Sequence, residues 1–328
     1  MKIKNCFYNE DCITGCKEHI DDNSIDLIIT DPPYGINGDK LHKHYNRNED
    51  YVIDGYIEIP QKEYAEFSLN WIKEAERILR PGGSIYIVSG YTNLIDILNA
   101  LRKTKLQEVN HIIWKYNFGV YTKNKYISSH YHILYYTKKG KKPKFNTYCR
   151  YGQTEKDEKG GSLNYQDRED VWIINREYKP GKIKNKNELP QELLIKMIQY
   201  SSNENDIVCD LFLGSFSTAK VAIGLNRDAI GFEKSKSAFD YQFKQIEKIN
   251  RGYLLSSIKK PEKNSLVNQG KAWTKEDIEL LIDKYRTYLL KNTKHETIDI
   301  LSKEFGRGRF SIMNIIDKNT KGENLTIF

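Results

Sequence analysis

Residues 24–34 read Ser-Ile-Asp-Leu-Ile-Ile-Thr-Asp-Pro-Pro-Tyr, and the fold turns on them. Ile25, Leu27, Ile28 and Ile29 make the short apolar run of a buried parallel strand. The run stops at Asp31-Pro32-Pro33-Tyr34, which sets one carboxylate, two rigid prolines and one aromatic ring at a strand's carboxyl end. In an open α/β sheet that edge is where ligands bind.

The tetrad admits two readings. An Asp-Pro pair is an ordinary turn that closes a strand. The alternative is a grip on an amine attached to a flat ring, such as the exocyclic amine of adenine or cytosine. The lone pair of such an amine is delocalised into the ring, so acceptors on both of its N–H bonds are needed to pull it towards a reactive geometry. Asp31 supplies one acceptor. The backbone carbonyl of Pro32 supplies the other, because Pro33 holds residue 32 extended and neither proline has an N–H to compete for it. Tyr34 offers a face on which a base stacks, worth roughly 1–3 kcal/mol per base.

Working outward, residues 3–8 read as a short strand, and Asn9-Glu10-Asp11-Cys12 leads into a short helix over 14–19. Residues 35–60 are polar and irregular and read as a mobile loop that closes over a substrate. Its His42 and His44 lack companion cysteines and ordered spacing, so no metal site is indicated. Phe67, Trp71, Ala75, Ile78 and Leu79 give an amphipathic helix over 63–80 that stops at Pro81-Gly82-Gly83. Residues 84–89 form the next buried strand, 93–103 a helix, and 111–116 and 130–136 two further strands.

A second ordered stretch begins at Leu189-Pro190, where proline opens a helix over 192–201 as a first-turn residue. A strand at 206–212 feeds Leu213-Gly214-Ser215-Phe216-Ser217-Thr218, then a helix over 219–225 and a strand at 229–232 that ends in Glu233. This is a nucleoside-binding half-unit: the glycine turn lets a ligand approach the backbone, and an acid about 20 residues on holds ribose hydroxyls. A single glycine makes a poor dinucleotide fingerprint, which disfavours NAD.

At 328 residues the chain holds one large domain, or a large and a small one. No apolar run approaches the roughly 18 residues of a membrane span, and the charged start Met1-Lys-Ile-Lys-Asn-Cys6 has no signal-peptide core. Five cysteines without a C-x-x-C pair indicate neither a disulfide framework nor a zinc site and point to a reducing cytoplasm. Net charge is +8, and residues 115–186 hold 17 basic against 7 acidic residues, so the excess is concentrated there. Tyrosines such as Tyr121, Tyr126 and Tyr131 are interleaved with it. Basic residues among aromatics suit nucleic acid, with a surface kept basic for solubility as the alternative. Candidate DNA contacts are Lys123, Lys125, Lys138, Lys139, Lys141 and Lys142. The segment, about 117–186, reads as an irregular insertion without a core of its own.

Asp31-Pro32-Pro33-Tyr34 together with Asp210-Leu-Phe-Leu-Gly-Ser-Phe-Ser-Thr218 resembles the S-adenosylmethionine-dependent amino-methyltransferases of DNA, over about residues 3–250. The tetrad precedes the cofactor loop, as in the beta class of that family. The resemblance implies a Rossmann-like α/β fold over 1–251, with a mostly parallel, doubly wound sheet ending in an antiparallel strand. It implies S-adenosylmethionine as cofactor and double-stranded DNA as partner, and it leaves open a homodimer and a cognate restriction enzyme. Asp in the first tetrad position points to adenine-N6 transfer from a flipped-out base. Cytosine-N4 transfer on the same scaffold, or a DNA-binding protein that has lost catalysis, are the alternatives. By position, Asp31, Pro32, Pro33 and Tyr34 are catalytic, and Asp31 also faces the cofactor. Asp210, Phe212, Gly214, Ser215 and Ser217 surround the cofactor's methionine part, Glu233 its ribose, and Asp11 and Cys12 lie near it. The basic insertion takes the place of the target-recognition region. Three positions depart from the family pattern. Phe216 stands where many members have a second glycine, outward packing of its ring being one arrangement under which cofactor binding, expected to survive, is kept; Leu211 stands for proline; and Leu189-Pro190 stands for Lys-Pro.

Residues 252–270 are polar and read as a linker. Beyond it, Thr274 with Asp277 and Thr293 with Glu296 are capping-box-like starts, opening helices with Ile278, Leu281, Ile282, Tyr285 and Ile298, Leu301, Phe305 on their apolar sides. A third helix is expected over 310–316. The resulting all-α domain, 271–328, resembles Myb-like and helix-turn-helix modules, with Arg307 and Arg309 of its basic turn as DNA contacts. A dimerisation or purely structural appendix is the alternative.

Overall fold

The computed structural model describes residues 5–33, 59–117, 119, 121–176, 188–262, 266–268 and 271–320. The chain divides into two compact units, Met1–Pro261 and Glu262–Phe328.

The larger unit is built on an eight-stranded sheet among the described residues. Its strands are β1 (Cys6–Tyr8), β2 (Ile25–Thr30), β3 (Leu79–Ser89), β4 (Leu106–Lys115), β5 (His130–Lys138), β6 (Val171–Ile173), β7 (Ile207–Asp210) and β8 (Asp228–Phe232). Their spatial order is β1-β8-β7-β2-β3-β5-β4-β6. Neighbours pair in parallel except at β5, which runs antiparallel to both β3 and β4. The antiparallel strand therefore stands inside the sheet, and the edge is β6, parallel to β4. Residues 116–129 join β4 to β5, which pair antiparallel as consecutive neighbours in the sheet.

Helices α1 (Cys12–His19), α2 (Tyr64–Ile78) and α3 (Leu94–Leu101) cover one face, where Ile28, Ile85, Ile87 and Leu134 meet Trp71 and Ile97. Helices α5 (Gln191–Ser201) and α6 (Ser217–Gly224) cover the other, where Leu27, Ile29, Tyr86, Val88 and Ile133 meet Leu194 and Ala222. Every residue of β2 is buried, as its unbroken apolar run requires. A short α4 (Leu163–Asp167) and a longer α7 (Lys236–Ile246) complete the unit.

Three boundaries differ from expectation. Helix α2 ends at Ile78, and β3 begins at Leu79 and runs through Pro81-Gly82-Gly83. A register shift absorbs them: Ile25 pairs with Leu79 but Leu27 with Ser84, and Gly82 takes φ +78°. β6 and α4 lie inside the segment expected to be irregular, α4 being capped by the Ser162 side chain accepting from the Tyr165 amide. Residues 252–261 are no linker, since Gly252 and Leu254 donate backbone N–H groups to Ile223 and Gly224 and Leu254 is buried.

The smaller unit packs α8 (Lys275–Leu289), α9 (Lys294–Glu304) and α10 (Arg309–Asn319) around Leu281, Tyr285, Ile298, Leu301, Ile312 and Ile316. Thr274 accepts from the Asp277 amide, and Thr293 with Glu296 forms a complete capping box. Gly306, at φ +57°, turns the chain between α9 and α10. Among the described residues no helix is long and apolar enough to cross a membrane.

Candidate active site

From β7 the chain steps outward to β8, and from β2 it steps the opposite way to β3. The crevice of a doubly wound sheet opens where that direction reverses, and here it lies between the carboxyl ends of β7 and β2. β7 ends on Asp210, and β2 delivers Asp31 one residue beyond Thr30. Pro32 is buried, with Asp31 and Pro33 partly so. Tyr34 and residues 35–58 of the loop expected over 35–60 lie outside the described residues, as do His42 and His44.

The Thr30 hydroxyl donates to Oδ1 of Asp210 at 3.1 Å, and the Phe212 amide donates to the same oxygen at 3.1 Å. Asp210 is 5% exposed. Burial pushes its carboxyl up to about 6, against the pull of these hydrogen bonds.

Glu233 closes the other side of the loop. Its Oε2 accepts from the Gly214 amide at 2.9 Å and its Oε1 from the Ser235 amide at 2.7 Å, while burial raises its pKa. Gly214 adopts φ +49°, a region glycine enters without steric cost. At Gly231 a Cβ would lie 2.3 Å from the Asp210 carbonyl, so β8 approaches the loop only because no side chain intervenes. Asn9 Nδ2 donates to the Glu233 carbonyl at 2.7 Å, and Asp11 caps α1 by accepting from the Ile13 amide at 2.9 Å. Asp11, Glu233 and Asp210 thus come from the carboxyl ends of the adjacent strands β1, β8 and β7, and Glu233 and Asp210 make that edge suited to a cationic ligand. Cys12 is buried in the core, its thiol pushed well up by burial. Ser215 is buried and its carbonyl accepts from Lys220 Nζ at 2.7 Å, while Ser217 opens α6.

Phe216 does not pack outward. It is fully buried, with ring centroids 5.3 Å from Phe7 and 5.8 Å from Phe239. Its backbone is left-handed at φ +58°, which costs an L-residue about 1–2 kcal/mol. Full burial of the ring contributes about 1.5–3 kcal/mol and offsets this. Leu211 and Leu189 are likewise buried, one on each face of the sheet.

The expected DNA contacts fall in different places. Lys123 and Lys125 are exposed on the 116–129 connection, at the same edge of the sheet as Asp31, beside Tyr121 at 75% and Tyr126 at 99% exposure. Lys138 ends β5 and Lys139, Lys141 and Lys142 follow it, and because β5 is antiparallel they lie at the opposite edge. A strand of 9 residues at roughly 3.3 Å per residue carries the chain about 30 Å. There Lys138 Nζ donates to Asn23 Oδ1 at 2.9 Å and to the Glu76 carbonyl at the end of α2. Lys141 and Lys142 pack beside Gly82 at the start of β3. Lys144 pairs with Asp26 and Asp206 and so straps the segment to the scaffold, while Arg150 pairs with Asp167 at 2.9 Å within it, so part of the basic excess is structural. Arg307 is buried, donating to the carbonyls of Lys271 and Ala272 with its guanidinium 4.1 Å from the Trp273 ring centre. It holds the smaller unit together and is no phosphate contact. Arg309 pairs with Asp299.

Sequence reasoning missed Thr30 and Gly231, which are ordinary residue types at strand ends, and gave Asn9 no role of its own within the stretch 9–12. It also missed a histidine cluster at the carboxyl end of β3. His132 pairs with Ser89 and lies 2.8 Å, Nδ1 to Nε2, from His111; burial, with His111 and His130 nearby, lowers its pKa to about 4.

With this geometry in hand, comparison with known proteins is direct. The profile of the DNA methylase family matches residues 25–245. The chain is 32% identical over 243 residues to the type II methyltransferase M.HpaI of Haemophilus parainfluenzae, covering 72% of each protein. It is 30% identical over 287 residues to M.HinfI of Haemophilus influenzae, covering 79% of this chain and 74% of that one. Among solved structures, PvuII DNA methyltransferase, described as cytosine-N4-specific, shares the fold at TM-score 0.54 and 17% identity, over 76% of this chain and 92% of that one. A DNA modification methylase of Thermus thermophilus, solved with S-adenosyl-L-methionine, does so at TM-score 0.52 and 21% identity, over 74% and 93%.

Proposed function

The chain belongs to the DNA methylase family, and we propose that it transfers a methyl group from S-adenosylmethionine to the N6 amine of an adenine flipped out of duplex DNA. The observation that carries this reading is the meeting of the Asp31 strand and the Asp210 loop at one crevice, joined by the Thr30 to Asp210 hydrogen bond.

The residues present fit the cofactor. Asp210 and Glu233 give the crevice a negative edge for a cationic ligand, Asp11 beside them is paired with Lys234 at 3.6 Å, and Gly214 brings backbone close to it. When bound, S-adenosylmethionine supplies an electrophilic methyl group. Asp31 and the Pro32 carbonyl accept from the two N–H bonds of the target amine and aim its lone pair, and Tyr34 stacks the base. Positioning and charge complementarity carry the rate. Asp31 need not be a strong base, since the methylated amine sheds its proton readily. The exposure of Lys123, Lys125, Tyr121 and Tyr126 at the same edge of the sheet as Asp31 supports their contact with phosphates and bases.

The smaller unit supports a second DNA contact. Helices α9 and α10 are joined through a short glycine turn, the connection of a helix-turn-helix. Phe310, Asn314 and Lys318, spaced i, i+4, i+8, are exposed along α10. The five free thiols support a reducing compartment.

The test is incubation of duplex DNA with labelled S-adenosylmethionine, followed by digestion to nucleosides. The expected result is label in N6-methyl-2′-deoxyadenosine, lost in Asp31→Ala while cofactor binding persists. Label in N4-methyl-2′-deoxycytidine would move the reading to N4 transfer, and full activity in Asp31→Ala would overturn the assignment of the tetrad.

A further inference from the structure

Thr30 is fully buried at the last position of β2, directly before Asp31. The backbone ladder between β2 and β7 is short, registering only Leu27 with Val208 and Ile28 with Cys209. Beyond that ladder the two strands are held by side chains. At the amino end Asp26 Oδ2 accepts from the Ile207 amide at 2.9 Å, and at the carboxyl end the Thr30 hydroxyl donates to Asp210 at 3.1 Å. The second bond carries the seam from the ladder to the crevice.

Its acceptor is well chosen for transmitting position. Asp210 Oδ1 also takes the Phe212 amide, which fixes the turn that follows β7. Leu213 N then bonds the Phe232 carbonyl, and Gly214 N bonds Glu233. The Thr30 hydroxyl therefore helps set the carboxylate from which the 210–214 turn hangs, alongside Thr218 of α6, and it does so from the residue adjoining Asp31.

We propose that Thr30 is a positioning residue for methyl transfer, registering the 210–216 cofactor loop against the tetrad that begins at Asp31. This rests on the methyltransferase reading above. A donated hydrogen bond also favours the charged form of Asp210, so loss of the hydroxyl lets the carboxyl protonate at higher pH and loosens the turn.

The experiment compares the wild-type full chain with Thr30→Val, which keeps the side-chain shape, and Thr30→Ser, which keeps the hydroxyl. Calorimetric binding of S-adenosylmethionine and initial rates from pH 5.5 to 8.5 are read for each, with thermal melts to confirm folding. In Thr30→Val the KM for the cofactor rises about tenfold, the size expected for one hydrogen bond to a buried charged group. Its kcat at saturating cofactor falls as well, because the cofactor loop is no longer registered against the tetrad, and the acid limb of kcat/KM moves to higher pH. Thr30→Ser restores all three. A Thr30→Val enzyme with unchanged cofactor KM and a superimposable pH profile overturns the inference, as does a Thr30→Ser enzyme no better than Thr30→Val. Absence of cofactor binding by the wild-type chain would instead overturn the functional reading on which it rests.

Discussion

The ring of Phe216 stands 5.3 Å from that of Phe7, tilted by 52°, so the residue that opens α6 is tied to the first strand of the sheet. Two opposing effects meet at this position: a left-handed backbone that disfavours any side chain, and a buried aromatic cluster that needs this one. Phe216→Ala keeps the strain and opens a cavity, with an expected loss of about 3–5 kcal/mol. Phe216→Gly opens a similar cavity but relieves the strain, and should be more stable than the alanine variant by about 1 kcal/mol. Urea unfolding measures both, and an alanine variant as stable as the glycine one would show that the backbone strain is negligible.

Lysines at the two edges of the sheet should behave differently. Lys123→Ala and Lys125→Ala are each expected to weaken DNA binding across sequences and to reduce the slope of log affinity against log salt by about 1. Lys141→Ala with Lys142→Ala, at the far edge, should leave affinity and slope unchanged. Removing residues 262–328 should weaken binding and flatten the slope as well. Titrations at several salt concentrations check all three, and an effect of the 141/142 pair equal to that of 123/125 would refute the placement.

Acid should weaken the fold partly through His132. Its folded pKa of about 4 lies below the ordinary 6.5, so between those values the unfolded chain binds more protons and stability falls as pH falls. Asp210 has the opposite sign: raised to about 6 from 3.8, it binds more protons when folded and gains stability as pH falls over that range. His132→Gln should therefore flatten the decline in Tm between pH 6.5 and 4. An unaltered decline in that variant would remove His132 as a cause.

Much of this arrangement was legible in the residues themselves. Buried parallel strands announce themselves as apolar runs, and β2, β3, β7 and β8 all do so. The caps at Thr274 and Thr293 were equally plain, because capping depends on neighbours three residues apart. The destination of the lysines after β5 was not. It depends on strand direction, and one antiparallel strand is enough to move a whole basic segment from the site to the opposite edge. Phe216 misled for a related reason: an aromatic residue in a ligand loop reads as exposed unless Phe7 and Phe239, distant in sequence, are known to be waiting beneath it. Thr30, likewise, is only a strand residue until Asp210 is set beside it.

The strand order also has a consequence for how the chain is made. β1 has a single neighbour in the sheet, β8, and contacts such as Asn9 to Glu233 join residues 224 positions apart. Domains emerging from the ribosome acquire local contacts first and distant ones later. The half-sheet β2 to β6 can therefore form while β1 waits unpaired, and the ligand edge stays incomplete until residue 233 has emerged. A nascent chain of this design would carry its tetrad early and become competent for cofactor only near the end of synthesis of the larger unit.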